Sequence, residues 1–332
     1  MTSKITSDVI VVGAGLSGLI AAKLLKETGK TVTILDKGSS VGGRLATQHV
    51  GNGIADYGAQ FFTARTDEFK QEVQQWLDDD LLAIWGHGWS DGSLKRSTND
   101  GQPRYVAKKG MNALAKYLAD SISTIHVDTK VSSLSWQDDI WTVSDFRGQI
   151  YQSKVLVMTP PVPQTLALIE DIALLPQERV ALEHIHYAPC LCGLFVIDGG
   201  IDLPEPGALQ NFDNFVYWFG DNQKKGISPN EHIITMHANA IYSRKHYDDS
   251  DNNILYSLRT ELQHYLTKGT SITEQHLKKW RYSIPLTTHP EDVLTAQHLP
   301  IIFAGDAFGG RGRVEGAYLS GLKAGQVAIE ML

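Results

Sequence analysis

The sequence predicts an α/β protein of two domains, one built on buried parallel strands joined by helices and the other on a mixed sheet. Three observations carry this expectation. The chain opens with a strand, a Gly-rich turn, a helix and a second strand; it closes with a strand, a Gly-rich turn and a helix; and between about 165 and 285 strand-like runs alternate with helical ones.

Asp8 to Val12 reads DVIVV, a β-branched run fit for a buried parallel strand. Leu16 to Leu25 follows as a helix with Leu16, Leu19, Ile20 and Leu24 on one face, and Thr31 to Asp36 is the second strand. A crossover of this kind lies on a mostly parallel sheet. Residues 38–62 are rich in glycine and lack periodicity, which predicts a long loop lying against a ligand. Thr66 to Leu77 has a helical pattern, and Met111 to Ile122 sets Leu114, Leu118 and Ile122 four apart on an amphipathic helix. Short strands are expected near 124–128, 130–136 and 140–145. KVLVM at 154–158 is another buried strand, and Pro160, Pro161 and Pro163 behind it should stop both helix and sheet, so the chain is expected to change domain there. CLCGLFVI, NFVYWFG and HIITMHAN are strand-like runs of the second domain. The expected partition is 1–65, 105–165 and 286–332 in one discontinuous domain, with 66–104 and 166–285 in the other.

With 332 residues and 42% hydrophobic content, the chain can bury one large core or two coupled ones. Its net charge of -7, with no long block of Lys or Arg, argues against a nucleic-acid or anionic-membrane surface. No apolar run reaches the length of a membrane span, and the first strand follows the N-terminus too closely for a signal peptide. Two cysteines, Cys190 and Cys192, exclude a disulfide framework and predict a reducing, cytoplasmic setting.

Gly13, Gly15 and Gly18 form GxGxxG between a strand and a helix. Small residues there bring the backbone close to a pyrophosphate, and the helix N-terminus attracts its charge; Leu16 and Ser17 stand in the same turn. Asp36, followed by Lys37, ends the second strand in position to bond a ribose hydroxyl. NAD and FAD sites share this fingerprint, and two further features select FAD. The first is Gly42, Gly43 and Arg44, where glycines allow close contact and a guanidinium meets phosphate or ring carbonyl oxygens. The second is Gly305 and Asp306 after PIIFA, then Arg313, Val314, Glu315, Gly316 and Ala317 at the start of the last helix. An acid there can bind the ribityl chain, and helix N-terminal amides can face the N1 and C2 carbonyl side of a flavin, where negative charge grows on reduction. Taken alone, Asp306 would read more simply as a helix N-cap.

The chain resembles, over almost its whole length, the flavin-containing monooxygenase and amine oxidase superfamily, and within it the renalase-like branch. The residues that carry the resemblance are VVGAGLSGL, VGGRLAT, DYGAQFFT at 56–63, KKGMNALAKYLA at 108–119, KWRYS at 279–283, and the terminal AGDAF with GRVEGAYLSG. The resemblance implies an FAD-binding Rossmann-like domain of p-hydroxybenzoate hydroxylase-like topology beside a mixed-sheet substrate domain. It implies non-covalent FAD touching Ser17, Arg44, Gln60 and Phe61, with Val131 beside the adenosine part, Asp306 on the ribityl chain, Val314 near the ring and Arg313 bordering the substrate. It also implies a reaction: oxidation of the 2- or 6-dihydro isomers of NAD(P)H to NAD(P)⁺ by hydride transfer to flavin N5, with O2 reoxidising the flavin and leaving H2O2. Such a transfer needs no nucleophile and no general base, so no catalytic side chain is expected.

Arg104 and Tyr105 could place a cation and a ring over a bound nicotinamide or its phosphates; the plainer alternative is a surface strand edge. Trp280 and Tyr282 alternate on one strand and so share a face, as a cavity wall or a pair of core aromatics would. A second hypothesis is an amine oxidase of a small amine, with Lys278 or Lys279 as the lysine near N5, and a third is a flavin-binding protein without turnover. His184, His186, Cys190 and Cys192 have the composition of a zinc site, but Pro189 interrupts the run and ligands two apart on a strand splay, so no metal is expected. Asp78, Asp79 and Asp80 read as exposed charge at a helix end.

Overall fold

Val9–Val12 carries no polar residue and is buried at every position, the mark of a strand covered on both faces. In the computed structural model, which describes residues 4–91 and 99–332, it lies inside a six-stranded sheet. The order is Leu294–Thr295, Ile301–Phe303, Val155–Met158, Val9–Val12, Val32–Leu35, Ile125–His126, and every pairing is parallel except that of the edge strand Leu294–Thr295. Helix Leu16–Glu27 follows the central strand and helix Arg313–Glu330 ends the chain. These two helices meet through small residues: a Cβ on Gly321 would lie 2.5 Å from the Ser17 carbonyl oxygen, and one on Gly325 would lie 3.1 Å from that of Ala21. Their separation is set by the lack of side chains at the contact.

Two compact units interleave along the chain, residues 1–44, 114–187 and 285–332 in the first and 45–113 with 188–284 in the second. The chain changes unit after 44, 113, 187 and 284, where the sequence predicts changes after 65, 104, 165 and 285. Residues 47–56 are a hairpin rather than a loop: Thr47–Val50 pairs antiparallel with Gly53–Asp56 around Gly51 and Asn52. VGNG is a two-residue turn signal, and Asp56 at the hairpin's end is bonded by Asn222 and Thr235 of the second unit. Arg104–Ala107 pairs with Leu82–Gly86 and so belongs to the second unit as well. The prolines after Met158 begin a helix instead of ending a domain, because Pro161 is the N-cap of Val162–Leu168 and Pro163 lies in its first turn, where a missing N–H leaves nothing unpaired. Val162, Ile169 and Leu182 then enter the first unit's core with Trp141, Val143 and Leu156, which keeps the chain in that unit as far as Tyr187.

The strands expected at 130–136 and 140–145 appear as Val131–Gln137 and Ile140–Asp145, in a small sheet with Ile150–Ser153 and Ile5–Thr6. The one expected at 124–128 shrinks to Ile125–His126 and joins the large sheet beside Val32–Leu35.

The second unit is built on a five-stranded sheet ordered Ala208–Gln210, Val216–Asp221, His232–Ala238, Tyr187–Asp198, Ser271–Pro285. Alternation gives it two faces. Leu191, Phe195, Phe219, Ile234 and Met236 pack against Ile254, Leu258 and Leu262 of helix Asp251–Gln263. The other face carries Cys192, Leu194, Val196, Ile233 and Trp218, and is covered by Val50, Ala55, Tyr57 and Phe61. Among the described residues no helix is long and apolar enough to cross a membrane.

Candidate functional site

The three glycines of the first turn have three different reasons to be glycine. Gly13 has φ +102°, and a Cβ there would collide with the Thr159 hydroxyl; a Cβ on Gly18 would collide with the Gly13 carbonyl oxygen. A Cβ on Gly15, by contrast, would meet nothing within 4 Å. Gly15 is also the N-cap of helix Leu16–Glu27, which has no side-chain cap and no acid in its first turn. Open space beside uncapped helix amides fits a pyrophosphate.

Asp36, expected at a ribose, is engaged by the backbone on both sides. Its Oδ2 accepts the Ala14 N–H at 2.6 Å and its Oδ1 accepts the Gly38 N–H at 2.6 Å, which ties together the turns on either side of it. Burial raises its pKa, against the pull of those two amides and of Lys37. Lys37 itself reaches the Gln164 side chain at 2.7 Å on the exposed side. The Asp128 and Thr129 N–H groups donate to the carbonyls of Gly38 and Asp36, both at 2.7 Å, which brings the buried Val131 to this end of the site.

The Gly42 N–H donates to the Ala14 carbonyl at 2.8 Å, packing the GGR segment on the first turn and delivering Arg44. The Arg44 guanidinium forms a bidentate pair with Asp306, Nη1 to Oδ2 and Nη2 to Oδ1, both at 2.6 Å, and lies 5.7 Å over the Tyr187 ring. Burial alone would lower the Arg44 pKa, but Asp306 and Tyr187 outweigh it and the net direction is up. Burial first, and then the Asp306 charge, push the Tyr187 phenol up. Two residues singled out separately at opposite ends of the chain are therefore one charge-assisted group.

Asp306 is no helix N-cap, since the last helix begins only at Arg313 with Gly312 in front of it and no side-chain cap. The Gly305 N–H is fixed by the Ser320 hydroxyl at 2.8 Å. Ser17 donates its hydroxyl to the Ala317 carbonyl at 2.7 Å, so it joins the first turns of the two helices. Val314 and Gly316 are buried in that turn, whereas Arg313 is exposed and held at φ +63°, a left-handed conformation that costs an L-residue about 1 kcal/mol. Two uncapped helix N-termini, the space at Gly15 and the Arg44–Asp306 pair fit a dinucleotide whose far end gains negative charge, as FAD does.

In the second unit, Gln60 is 5% exposed and donates Nε2 to the carbonyls of Asp56 at 2.7 Å and Gly58 at 3.2 Å. Asp56 anchors this segment, because its carboxylate accepts the Met111 N–H at 2.8 Å and the Thr47 hydroxyl and pairs with Lys225 at 2.5 Å, both side chains wholly buried. Burial lowers the Lys225 pKa and Asp56 opposes it. The Phe61 ring lies 4.9 Å from Trp89 and 5.3 Å from Trp218, with the Arg104 guanidinium 5.8 Å above it. Arg104 is in turn bound to Asp100 at 2.6 Å. Tyr105 turns the other way and packs 5.6 Å from Phe62, so the structure joins Arg104 to Phe61 but separates Tyr105 from both. Trp280 stacks on Tyr57 at 5.5 Å and donates Nε1 to the Tyr57 carbonyl at 2.8 Å, while the Lys278 ammonium lies 5.1 Å over the same ring.

His237 is a residue that the sequence reading did not single out. It faces Cys192 and Trp218 across neighbouring strands and is 7% exposed. Burial pushes its imidazole down to about 4; a bond to the Tyr57 backbone opposes this and the Lys225 charge adds to it. The available signal was a histidine alternating with Ile234 and Met236 in a run too apolar for the sheet's outer edge. His184, by comparison, is the C-cap of helix Pro176–Glu183 while Cys190 and Cys192 lie inside strand Tyr187–Asp198, so the four residues of the HxHxxxCxC run do not share a strand. Burial pushes the Cys190 thiol up to about 12.

The profile of the NAD(P)-binding Rossmann-like domain matches residues 11–79, and that of the flavin containing amine oxidoreductases matches residues 87–329, well over half of the chain. Renalase of Mus musculus is 28% identical over 303 residues, covering 83% of this chain and 85% of that protein. A flavin-containing amine oxidase of Oncorhynchus mykiss is 55% identical over 47 residues, 14% of this chain and 9% of that one. A solved putrescine oxidase, redesigned in its cofactor binding, has the same fold, with a TM-score of 0.71 at 13% identity over 99% of both chains. The chain is a renalase-like member of the flavin containing amine oxidoreductase family, an oxidoreductase that depends on FAD.

Proposed function

We propose that the protein oxidises the 2- and 6-dihydro isomers of NAD(P)H to NAD(P)⁺ and passes the electrons to O2. The observation that carries this reading over an amine substrate is the charge on the second unit's aromatic faces. Arg104 lies over Phe61 and Trp89, Lys225 over Trp85 and Lys278 over Tyr57. A substrate ammonium is drawn to a bare aromatic face, and cations of the chain already hold these. Arg104 and Lys225 are themselves paired with Asp100 and Asp56, which leaves Lys278 as the cation of the three that attracts a phosphate of a dinucleotide. The likeness to renalase points the same way.

When bound, FAD supplies the hydride acceptor at N5 and the route to O2 and H2O2. The residues of the chain bind and orient. The turn at Gly13, Gly15 and Gly18 and the amides of helix Leu16–Glu27 hold the pyrophosphate, with Asp36 on the ribose. Arg44 fixes Asp306 in one orientation toward the ribityl chain, and the Val314 turn presents amides to the ring. On the second unit Gln60, Phe61 and Trp280, and on the first Arg313, are the side chains proposed to meet cofactor or substrate.

Anaerobic mixing of the FAD-loaded protein with 6-dihydroNAD, and separately with a panel of amines including putrescine, tests the assignment through the flavin absorbance. Rapid bleaching by the dihydronicotinamide, with one H2O2 formed per NAD⁺ once O2 is admitted, is the expected result. Bleaching by an amine and none by 6-dihydroNAD would overturn it.

A further inference from the structure

Three side chains on one face of the second unit are more than nine-tenths buried and have a polar atom with no hydrogen-bond partner among the described residues: Gln60 at Oε1, Trp218 at Nε1 and His237 at Nε2. Buried polar atoms are rarely left this way, and several together point to a ligand that completes them. Trp218 and His237 are directly opposite one another on neighbouring strands. Gln60 and Thr235 both donate to the Asp56 carbonyl, and Thr235 is the next residue on the His237 side of its strand. Phe61, adjoining Gln60, packs on the Trp218 ring. The three groups therefore occupy neighbouring places.

Their chemistry is specific. Gln60 Oε1 only accepts, because its Nε2 already donates to two carbonyls. Trp218 Nε1 only donates. The His237 ring has an N–H directed at the Tyr57 carbonyl and is neutral, which leaves the remaining nitrogen as an acceptor. Two acceptors and one donor are the complement of a group with two N–H donors and one carbonyl oxygen. An ammonium would find acceptors but also the nearby Lys225 charge, and a carboxylate would find only one donor.

We propose that Gln60, Trp218 and His237 form a subsite for a primary carboxamide, whose NH2 is shared by Gln60 Oε1 and His237 Nε2 and whose carbonyl accepts from Trp218. The proposal rests on the function above and deepens it, since a primary carboxamide is what a nicotinamide ring carries at C3. The site would then select the amide of the substrate while the flavin selects its hydride.

Binding of oxidised dinucleotides to the FAD-loaded protein, followed by perturbation of the flavin spectrum, tests this without turnover. NAD⁺, 3-acetylpyridine adenine dinucleotide and nicotinic acid adenine dinucleotide differ only in the amide, methyl ketone or carboxylate at C3. The amide should bind about tenfold or more tighter than the ketone, because the ketone leaves two buried acceptors unpaired. His237→Leu and Gln60→Leu should each shrink that ratio toward one, and His237→Asn, which keeps an acceptor, should restore part of it. Equal affinities in the unaltered protein overturn the subsite, as does an amide preference that survives both leucine variants; if Gln60 Oε1 served the flavin instead, Gln60→Leu would change FAD retention and leave the ratio intact. Rapid bleaching by 6-dihydroNAD alongside equal affinities removes the subsite alone, whereas an intact, His237-dependent preference without bleaching removes the reaction assignment alone.

Discussion

Removing one partner of a buried ion pair leaves a charge with no water to solvate it, and Lys225 with Asp56 meets that condition fully. Lys225→Met should lower the unfolding free energy by about 3 kcal/mol or more, and adding Asp56→Asn should recover part of the loss; urea unfolding of the single and double variants checks both. His237 acts on stability with a defined sign. Its folded pKa of about 4 lies below the ordinary 6.5, so between these values the unfolded chain binds more protons and stability rises with pH. The contribution is fully present above pH 6.5 and is lost as the pH falls through 4, on the order of 3 kcal/mol. Denaturation curves from pH 7 to 4 should show a shallower acid loss for His237→Leu than for the unaltered chain; equal slopes would contradict the burial of this imidazole. These residues were unequally legible. Gly15, Asp36, Arg44 and Asp306 stand in motifs whose spacing is local and is the one a dinucleotide site would require. The Arg44–Asp306 pair, 262 positions apart, and the Lys225–Asp56 pair, 169 apart, follow from the fold and have no local trace.

At the scale of elements, period and punctuation located the strands Val9–Val12, Val32–Leu35 and Val155–Met158 and both dinucleotide helices, because buried parallel strands have no polar positions to confuse the pattern. Residues 47–56 were misjudged because two short, half-polar strands have little alternation to display, and the Gly51 and Asn52 turn was the clearer sign. The prolines at 160–163 misled for a different reason: proline ends a helix from inside but is at home in a first turn. The contact between helices Leu16–Glu27 and Arg313–Glu330 yields a prediction at this scale. Gly321→Val would place a side chain against the Ser17 backbone, where even a Cβ lies 2.5 Å from the carbonyl oxygen, so the helices must part. A cost of roughly 1–3 kcal/mol follows from overpacking of this kind. Because the Ser17 to Ala317 bond joins the first turns of the same two helices, FAD retention should fall as well. Thermal melts and FAD content per chain would show both effects, and a variant with full FAD and an unchanged melt would refute the argument.

The whole molecule couples its two ends, and FAD binding is where the coupling should be measurable. A ligand that binds only the native state stabilises it by about 2.7 kcal/mol when present at a hundred times its dissociation constant. Gly15 and Gly18 lie in one motif yet should respond oppositely to that linkage. Gly15 has an ordinary φ of -75° and open space where a side chain would go, so Gly15→Val should leave the unfolding of FAD-free protein nearly unchanged. The same side chain occupies the approach of the pyrophosphate, so adding FAD should no longer stabilise the variant. A Cβ on Gly18 collides with the Gly13 carbonyl oxygen, so Gly18→Ala should destabilise the protein with or without FAD. Unfolding curves of the two variants and the unaltered chain, each stripped of FAD and then resaturated, separate a glycine that makes room for a ligand from one that makes room for the fold. If Gly15→Val retained the full FAD-dependent shift, the pyrophosphate would have to lie elsewhere, and the two-ended site built from Gly15, Asp36, Arg44 and Asp306 would lose its first member.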